Sequence, residues 1–422
     1  MKSRTTITLF IFLTAGWAVA VSADMVIDWN RIATQAIVAN AGRGPGPALI
    51  DLVYANAAMY EAVNAIDGRF QPYIATPPSA TPGASEEAAA ATAAYKVLTA
   101  FFPAQQPFLD GQYAASLATV ADGYAKTQGI AIGEEAAAGL LANRAGDGRN
   151  DPSIVFPSSD AVGVWRPTPP AFAPYAGPWI GFMRPFVLVS PSQFRAEAPP
   201  ALDSEQWAAD YNETKAFGAL NGSARTPEQT EIGLFYSEHT AAQYNRIMRD
   251  FAASQNLSLA DTARLFALVY LSTGDALISV FDSKFHYGRW RPVTAIRLGD
   301  TDGNPATDPD PAWVPLAPTP AHPEYPAAHG AFTGALAEAL RQFFGTKNVT
   351  ITLTSAVTNT SHTFNNTDDL VSEIILGRIF GGMHFRTSVE RGLVMGRQAA
   401  HFVATHALRP VHRNSERDDR DR

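Results

Sequence analysis

With 422 residues, 46% of them apolar, the chain is long enough to bury one large core or two medium ones. A formal charge of −8 and a pI near 5.6 exclude the basic face that nucleic-acid binding requires. No cysteine is present, so disulfides cannot brace the fold and packing must suffice.

Residues 1–23 read as an export signal. Lys2 and Arg4 give a basic start, residues 7–21 form an apolar run too short to span a bilayer, and Val21-Ser22-Ala23 offers a small-residue cleavage site before Asp24. No later segment reads as a membrane span, so the mature chain is expected to be free of the membrane, in a periplasmic or secreted setting. Residues 24–412 are expected to form a single helical domain, and the charged tail 413–422 to be disordered.

The mature part opens with a predicted helix over 25–40, ended by the Gly42 to Pro47 breaker cluster. Leu49, Leu52, Val53, Met59, Tyr60 and Val63 recur at helical spacing up to Asp67-Gly68. Further helices are expected over 84–102, 109–121 and 133–147. From 150 to 203 seven prolines between Pro152 and Pro178 punctuate an aromatic stretch, which cannot be a regular helix. It reads as an ordered excursion over the body, because Trp165, Phe172, Tyr175, Trp179 and Phe182 are costly to leave in water.

Helices resume over 204–217 and 226–253. Ser258 and Asp261 form a capping signal before 259–281, which is apolar nearly all round and expected in the core. Helices over 326–344, 368–380 and 388–407 follow, with a strand signal only at 349–353. The fold class is all-α. The cluster Asp300, Asp302, Asn304, Asp308 and Asp310 lacks the spacing of an EF-hand and reads as Asx turns.

Three short segments carry chemistry. Lys284 and Arg291 are seven residues apart, near one face if the core helix continues past Asp282, and Pro292 ends the element. In His322-Pro-Glu-Tyr-Pro-Ala-Ala-His329, Pro326 suits a first helical turn, leaving the amides of Ala327, Ala328 and His329 free to attract an anion. Arg378 falls in a last helical turn, and His384 follows the Gly381-Gly382 break. Taken singly, each is as readily a surface cation or a packed histidine. Together they suggest a pocket for a tetrahedral oxyanion.

Lys-x6-Arg-Pro, then a Pro-x-x-His segment, then Arg-x5-His resembles the tripartite signature of the vanadium-dependent haloperoxidases and the type 2 phosphatidic acid phosphatases. The flanks Trp290-Arg-Pro-Val-Thr-Ala-Ile-Arg297, His322-Pro-Glu-Tyr325 and Gly382-Met-His-Phe-Arg386 look most like bacterial vanadium haloperoxidase-like proteins. The resemblance runs from about Asp28 to Leu408. It implies a helical bundle of the vanadium haloperoxidase and acid phosphatase type, vanadate as cofactor, and hydrogen peroxide and halide as substrates. It makes Lys284, Arg291, Arg378 and the amide of Ala328 the oxyanion clamp, His384 the residue bound to the metal, and His329 the acid–base group. Two alternatives stay open: a phosphomonoesterase in which His384 becomes phosphorylated by a phosphate ester, and a non-catalytic oxyanion binder.

The sequence departs from the signature at four places. Ala327 and Ala328 replace a serine and a glycine, and Gly377 replaces the serine before Arg378. Ser388 stands where the phosphatases carry the aspartate that orients the histidine, which tells against that alternative unless another group fixes the ring.

Overall fold

A computed structural model describes residues 24–79 and 81–411. The expected signal at 1–23 and tail at 413–422 lie outside the described residues.

The chain begins with α1 (Met25–Thr34), whose first amides are capped by the Asp24 carboxylate, and runs on as a π-helical stretch, Gln35–Asn40. Helix α2 (Pro45–Asp67) starts on a proline at its first turn and stops at Gly68 in the left-handed conformation. Then come α3 (Glu86–Phe101), α4 (Gln106–Ala118) and α5 (Tyr124–Asn143). The last of these begins nine residues before the expected 133. Two of its glycines lie against α3: a Cβ on Gly129 or Gly133 would strike the backbone of Ser85 or Ala89.

The segment 150–203 holds no α-helix, only a 3-10 turn at Pro178–Phe182. Trp165, Tyr175 and Trp179 are buried as expected, but Phe172 and Phe182 are exposed, so the aromatic run is only partly a packing surface. Its anchor is Asp275, deep in the next core helix, whose carboxylate accepts the amides of Phe186, Val187 and Leu188 at 2.6, 2.7 and 2.8 Å. Burial still pushes that carboxyl up to about 6.

After α6 (Glu205–Gly218), the single helix expected over 226–253 is two: α7 (Pro227–Phe235) and α8 (Thr240–Ser254). The break at 236–239 frees the Tyr236 carbonyl, which Arg378 takes. Helix α9 (Leu259–Tyr287) is capped by Ser258 and ends at left-handed Gly288. It is long and apolar enough to cross a membrane, contrary to the expectation that no later segment would be; here it is buried against protein instead. Glycine-terminated α9 cannot carry Arg291, and Pro292 opens a new helix, α10 (Pro292–Arg297), with Arg291 as its N-cap. The shared helical face of Lys284 and Arg291 is therefore not realised.

Next is α11 (Ala328–Phe344), starting two residues later than expected, with Ala327 as an N-cap whose methyl group can make no capping hydrogen bond. A two-stranded antiparallel hairpin follows, β1 (Ile351–Ser355) with β2 (Thr360–Phe364), of which only the first strand was anticipated. The chain closes with α12 (Thr367–Phe380) and α13 (Arg386–His406). Helices α2, α11 and α13 pack on α9. Between α11 and α13 the backbones nearly touch, because Gly330 and Gly334 meet Val389 and Leu393 while Gly392 and Gly396 meet Ala327 and Ala331. That close approach locks the start of α11 beside the loop carrying His384. The Asp302 loop is a set of Asx turns as expected, its carboxylate accepting from Trp207, Asn304 and Thr307.

Candidate active site

The last turn of α9, the N-cap of α10, the start of α11 and the end of α12 converge. Lys284, Arg291, Arg378 and His384 are all buried, none more than 1% exposed. Lys284 Nζ donates to the carbonyls of Pro323 and Glu324 at 2.8 and 2.9 Å. Arg291 Nε donates to the His322 carbonyl at 2.7 Å and Nη1 to the Met383 carbonyl at 3.0 Å. Arg378 Nη1 donates to the Tyr236 carbonyl at 2.8 Å and Nη2 to the Met383 sulfur at 2.9 Å.

His384 is gripped from both sides. Its Nδ1 lies 2.8 Å from Glu324 Oε1, which also accepts the Phe385 amide at 3.1 Å. A carboxylate on Nδ1 sets the proton there and leaves the Nε2 lone pair free, the tautomer that metal ligation or nucleophilic attack requires. That lone pair meets Arg291 Nη1 at 3.1 Å. An arriving ligand must therefore take Arg291 away from it.

Glu324 is the member of this cluster that sequence reasoning did not name as a site residue. It sits in the 322–329 segment, which was read for its helix start and its resemblance but not for this carboxylate, sixty residues from its partner. Ser388, at the position of the phosphatase aspartate, offers a hydroxyl in place of a carboxylate, its Oγ lying 3.4 Å from the backbone carbonyl of Glu324. The carboxylate missing from one segment is supplied by another. Gly377, where the signature has serine, packs on Tyr236: a Cβ there would lie 2.6 Å from the ring.

His329, in the first turn of α11, meets Thr240 Oγ1 through Nε2 at 3.0 Å. His329, His384, Arg378 and Ala328 line one cavity of about 410 Å³, whose other walls are largely apolar, among them Leu49, Leu277, Phe281 and Phe332. Lys284 and Arg291 do not line it; they stand behind His322 and His384. Of the three amides expected to be free, that of Ala327 is spent on the Ser388 carbonyl at 3.0 Å. Those of Ala328 and His329 open a helix and lack partners within it.

Three cations face one carboxylate in this cluster. Burial, and then Arg291, hold Lys284 well below the usual lysine range. Burial lowers Arg291 to about 10 and, with Arg291 beside it, Arg378 to about 9. Burial pushes Glu324 up to about 7, against the pull of Lys284 and Arg291. His322, His329 and His384 are all held well below the ordinary imidazole value, by burial first and by the neighbouring cations second. The histidines are thus neutral, and among the described residues Glu324 is the one carboxylate bonded into the cluster, which leaves positive charge in excess there. Arg378 Nε is buried with no acceptor. An unpaired guanidinium N–H, surplus positive charge and an imidazole lone pair engaged only by Arg291 fit a small oxyanion such as vanadate or phosphate.

Comparison with known proteins follows the same lines. Residues 264–413 match the family model described as the VCPO second helical-bundle domain. The vanadium chloroperoxidase of Curvularia inaequalis is 30% identical over 206 residues, covering 41% of this chain and 33% of that one. The chain thus matches about one third of the length of that curated relative. A bacterial vanadium-dependent iodoperoxidase superposes with a TM-score of 0.76 at 23% identity, over 92% of this chain and 97% of the other. A bacterial vanadium-dependent chloroperoxidase in its holo form gives 0.68 at 16% identity, over 86% and 92%.

Proposed function

On the premise that the chain has the vanadium haloperoxidase fold and carries that family's second helical bundle, we propose that it is an exported vanadate-dependent haloperoxidase. It would oxidise chloride, bromide or iodide with hydrogen peroxide. The observation that carries the reading is the buried surplus of positive charge around His384 Nε2, on a ring held from behind by Glu324.

Arg378 and the Ala328 amide, which line the cavity, would hold the oxyanion and His384 Nε2 would bind the metal; Lys284 and Arg291, behind the wall, would act on it through their charge unless Arg291 swings off His384. When bound, vanadate supplies a Lewis-acid centre at which hydrogen peroxide becomes an oxidant of halide. The chain's own part is electrostatic and positional. The cations neutralise charge on the oxyanion in a site sheltered from water, where each is worth more than at a surface. His329 is neutral at pH 7, so it can accept a proton from peroxide and return it to a departing oxygen. Thr240 fixes that ring.

One observation favours a second reading. Glu324 gives His384 the orienting carboxylate whose absence at Ser388 told against a phosphomonoesterase. In that chemistry His384 Nε2 attacks phosphorus, the bond to the leaving oxygen breaks, and a proton on His329 goes to that oxygen.

Paired assays on one preparation separate these readings. With orthovanadate, peroxide and bromide the protein should halogenate a dye faster than vanadate alone, and a chromogenic phosphate ester should stay intact. Ester hydrolysis that is inhibited by vanadate and lost in His384→Ala would favour the phosphatase. Vanadate binding with neither activity would leave an oxyanion binder.

A further inference from the structure

Met383 stands immediately before His384 and is tied to both guanidinium groups of the cluster. Its carbonyl accepts from Arg291 Nη1 and its thioether sulfur from Arg378 Nη2. It also lines the cavity that His329 and His384 share. The chain has no cysteine, and none of the other described methionines (Met25, Met59, Met183, Met248 and Met395) lines that cavity; all are buried elsewhere. Among the described residues, the sulfur nearest the chemistry is therefore the one that also holds a cation of the clamp.

We propose that Met383 is an oxidation site through which the hypohalous acid made at this centre limits its own production; the inference rests on the halide-oxidising reading above. The step balances without a further reagent. The thioether sulfur attacks the halogen of hypohalous acid and hydroxide leaves. Water then adds to sulfur as halide departs, and two protons are lost, one of them to the hydroxide. Sulfur is oxidised by two electrons to the sulfoxide, and the positive halogen is reduced to halide.

The product changes the site in one direction. A thioether is a weak hydrogen-bond acceptor, whereas a sulfoxide oxygen is a strong one, so Arg378 Nη2 is held more firmly by residue 383. The added oxygen also occupies a place where the side chain is only 2% exposed, which forces Met383 and Arg378 to shift. Both effects draw the guanidinium away from an anion in the cavity. Sulfoxide formation is reversed by methionine sulfoxide reductases, so the loss is recoverable.

The test uses the full chain, treated without vanadate by one equivalent of reagent hypobromite, and then mapped by peptide mass. Met383 should gain one oxygen before any other methionine. Orthovanadate affinity, measured by calorimetry, should fall on the order of tenfold with loss of that charge-assisted contact. Methionine sulfoxide reductase should restore it. Met383→Leu, whatever its starting affinity, should show no change on the same treatment. Oxidation at another methionine first, or full conversion at Met383 with unchanged affinity, overturns the inference while leaving the haloperoxidase reading intact. A protein that takes no vanadate before treatment overturns both.

Discussion

Glu324 and His384 are buried partners, Nδ1 to Oε1 at 2.8 Å, and neither reaches solvent. The carboxylate accepts from the ring on one side and from the Phe385 amide on the other, so it fixes both the tautomer of His384 and the backbone that presents it. Glu324→Gln keeps an acceptor of the same shape but removes the charge. It should lower vanadate affinity or turnover by about 10–100-fold, the usual cost of losing a partner behind a metal-binding histidine. Folding, followed by circular dichroism, should be little changed. Equal activity in wild type and variant would show that the charge of Glu324 is not used.

Arg378 contributes to an unmatched charge rather than to a satisfied ion pair. Removing one member of a buried pair costs about 3–5 kcal/mol, but here the removed group is in surplus. Arg378→Met should therefore unfold in urea within about 1 kcal/mol of wild type, relief of repulsion offsetting the orphaned Tyr236 carbonyl. Sulfate at a hundred times its Kd should stabilise the wild type by about 2.7 kcal/mol and the variant hardly at all. A variant that is much less stable yet still stabilised by sulfate would place the anion elsewhere.

The direction of pH dependence follows from the buried groups. Glu324 is raised to about 7, and His329 and His384 are held well below the ordinary imidazole value. An anion beside them raises all three, so binding takes up protons. Affinity for sulfate, which does not titrate near neutrality, should rise as pH falls from 8 through 7 toward 6. It should level off once the free protein holds the same protons. Calorimetry in buffers of different ionisation enthalpy reads the uptake directly; an affinity that falls on acidification would contradict the assignment of these groups to the site.

Two of the four departures from the tripartite signature should answer differently to reversal. Ala327 is the N-cap of α11, with extended dihedrals and no side-chain bond. Ala327→Ser should raise stability by about 0.5–2 kcal/mol through a capping hydroxyl. Gly377→Ser adds a Cβ 2.6 Å from the Tyr236 ring. It should cost about 1–3 kcal/mol in urea denaturation, as other overpacked sites do, and loosen the Tyr236 carbonyl from Arg378. If Gly377→Ser is neutral, Tyr236 has room that the packing does not suggest.

Much of the architecture was legible in the letters. The cap at Ser258, the breakers at Gly42 to Pro47 and Asp67-Gly68, and apolar periodicity marked most helices, because those signals are local. The five side chains Lys284, Arg291, His329, Arg378 and His384 could be named from spacing and resemblance. What could not be read were relations across distance. Nothing local breaks the helix at 236–239 so that Tyr236 meets Arg378, and nothing in spacing pairs Glu324 with His384. The shared helical face of Lys284 and Arg291 failed because Gly288 ends α9 first.

Asp275 has a consequence for how the chain bears damage. By gathering three successive amides of residues 186–188, it fastens the long irregular segment to the same helix whose end delivers Lys284. A protease cut at the exposed Val155 would then sever the covalent thread without parting the halves, and the two fragments should co-elute as one native particle.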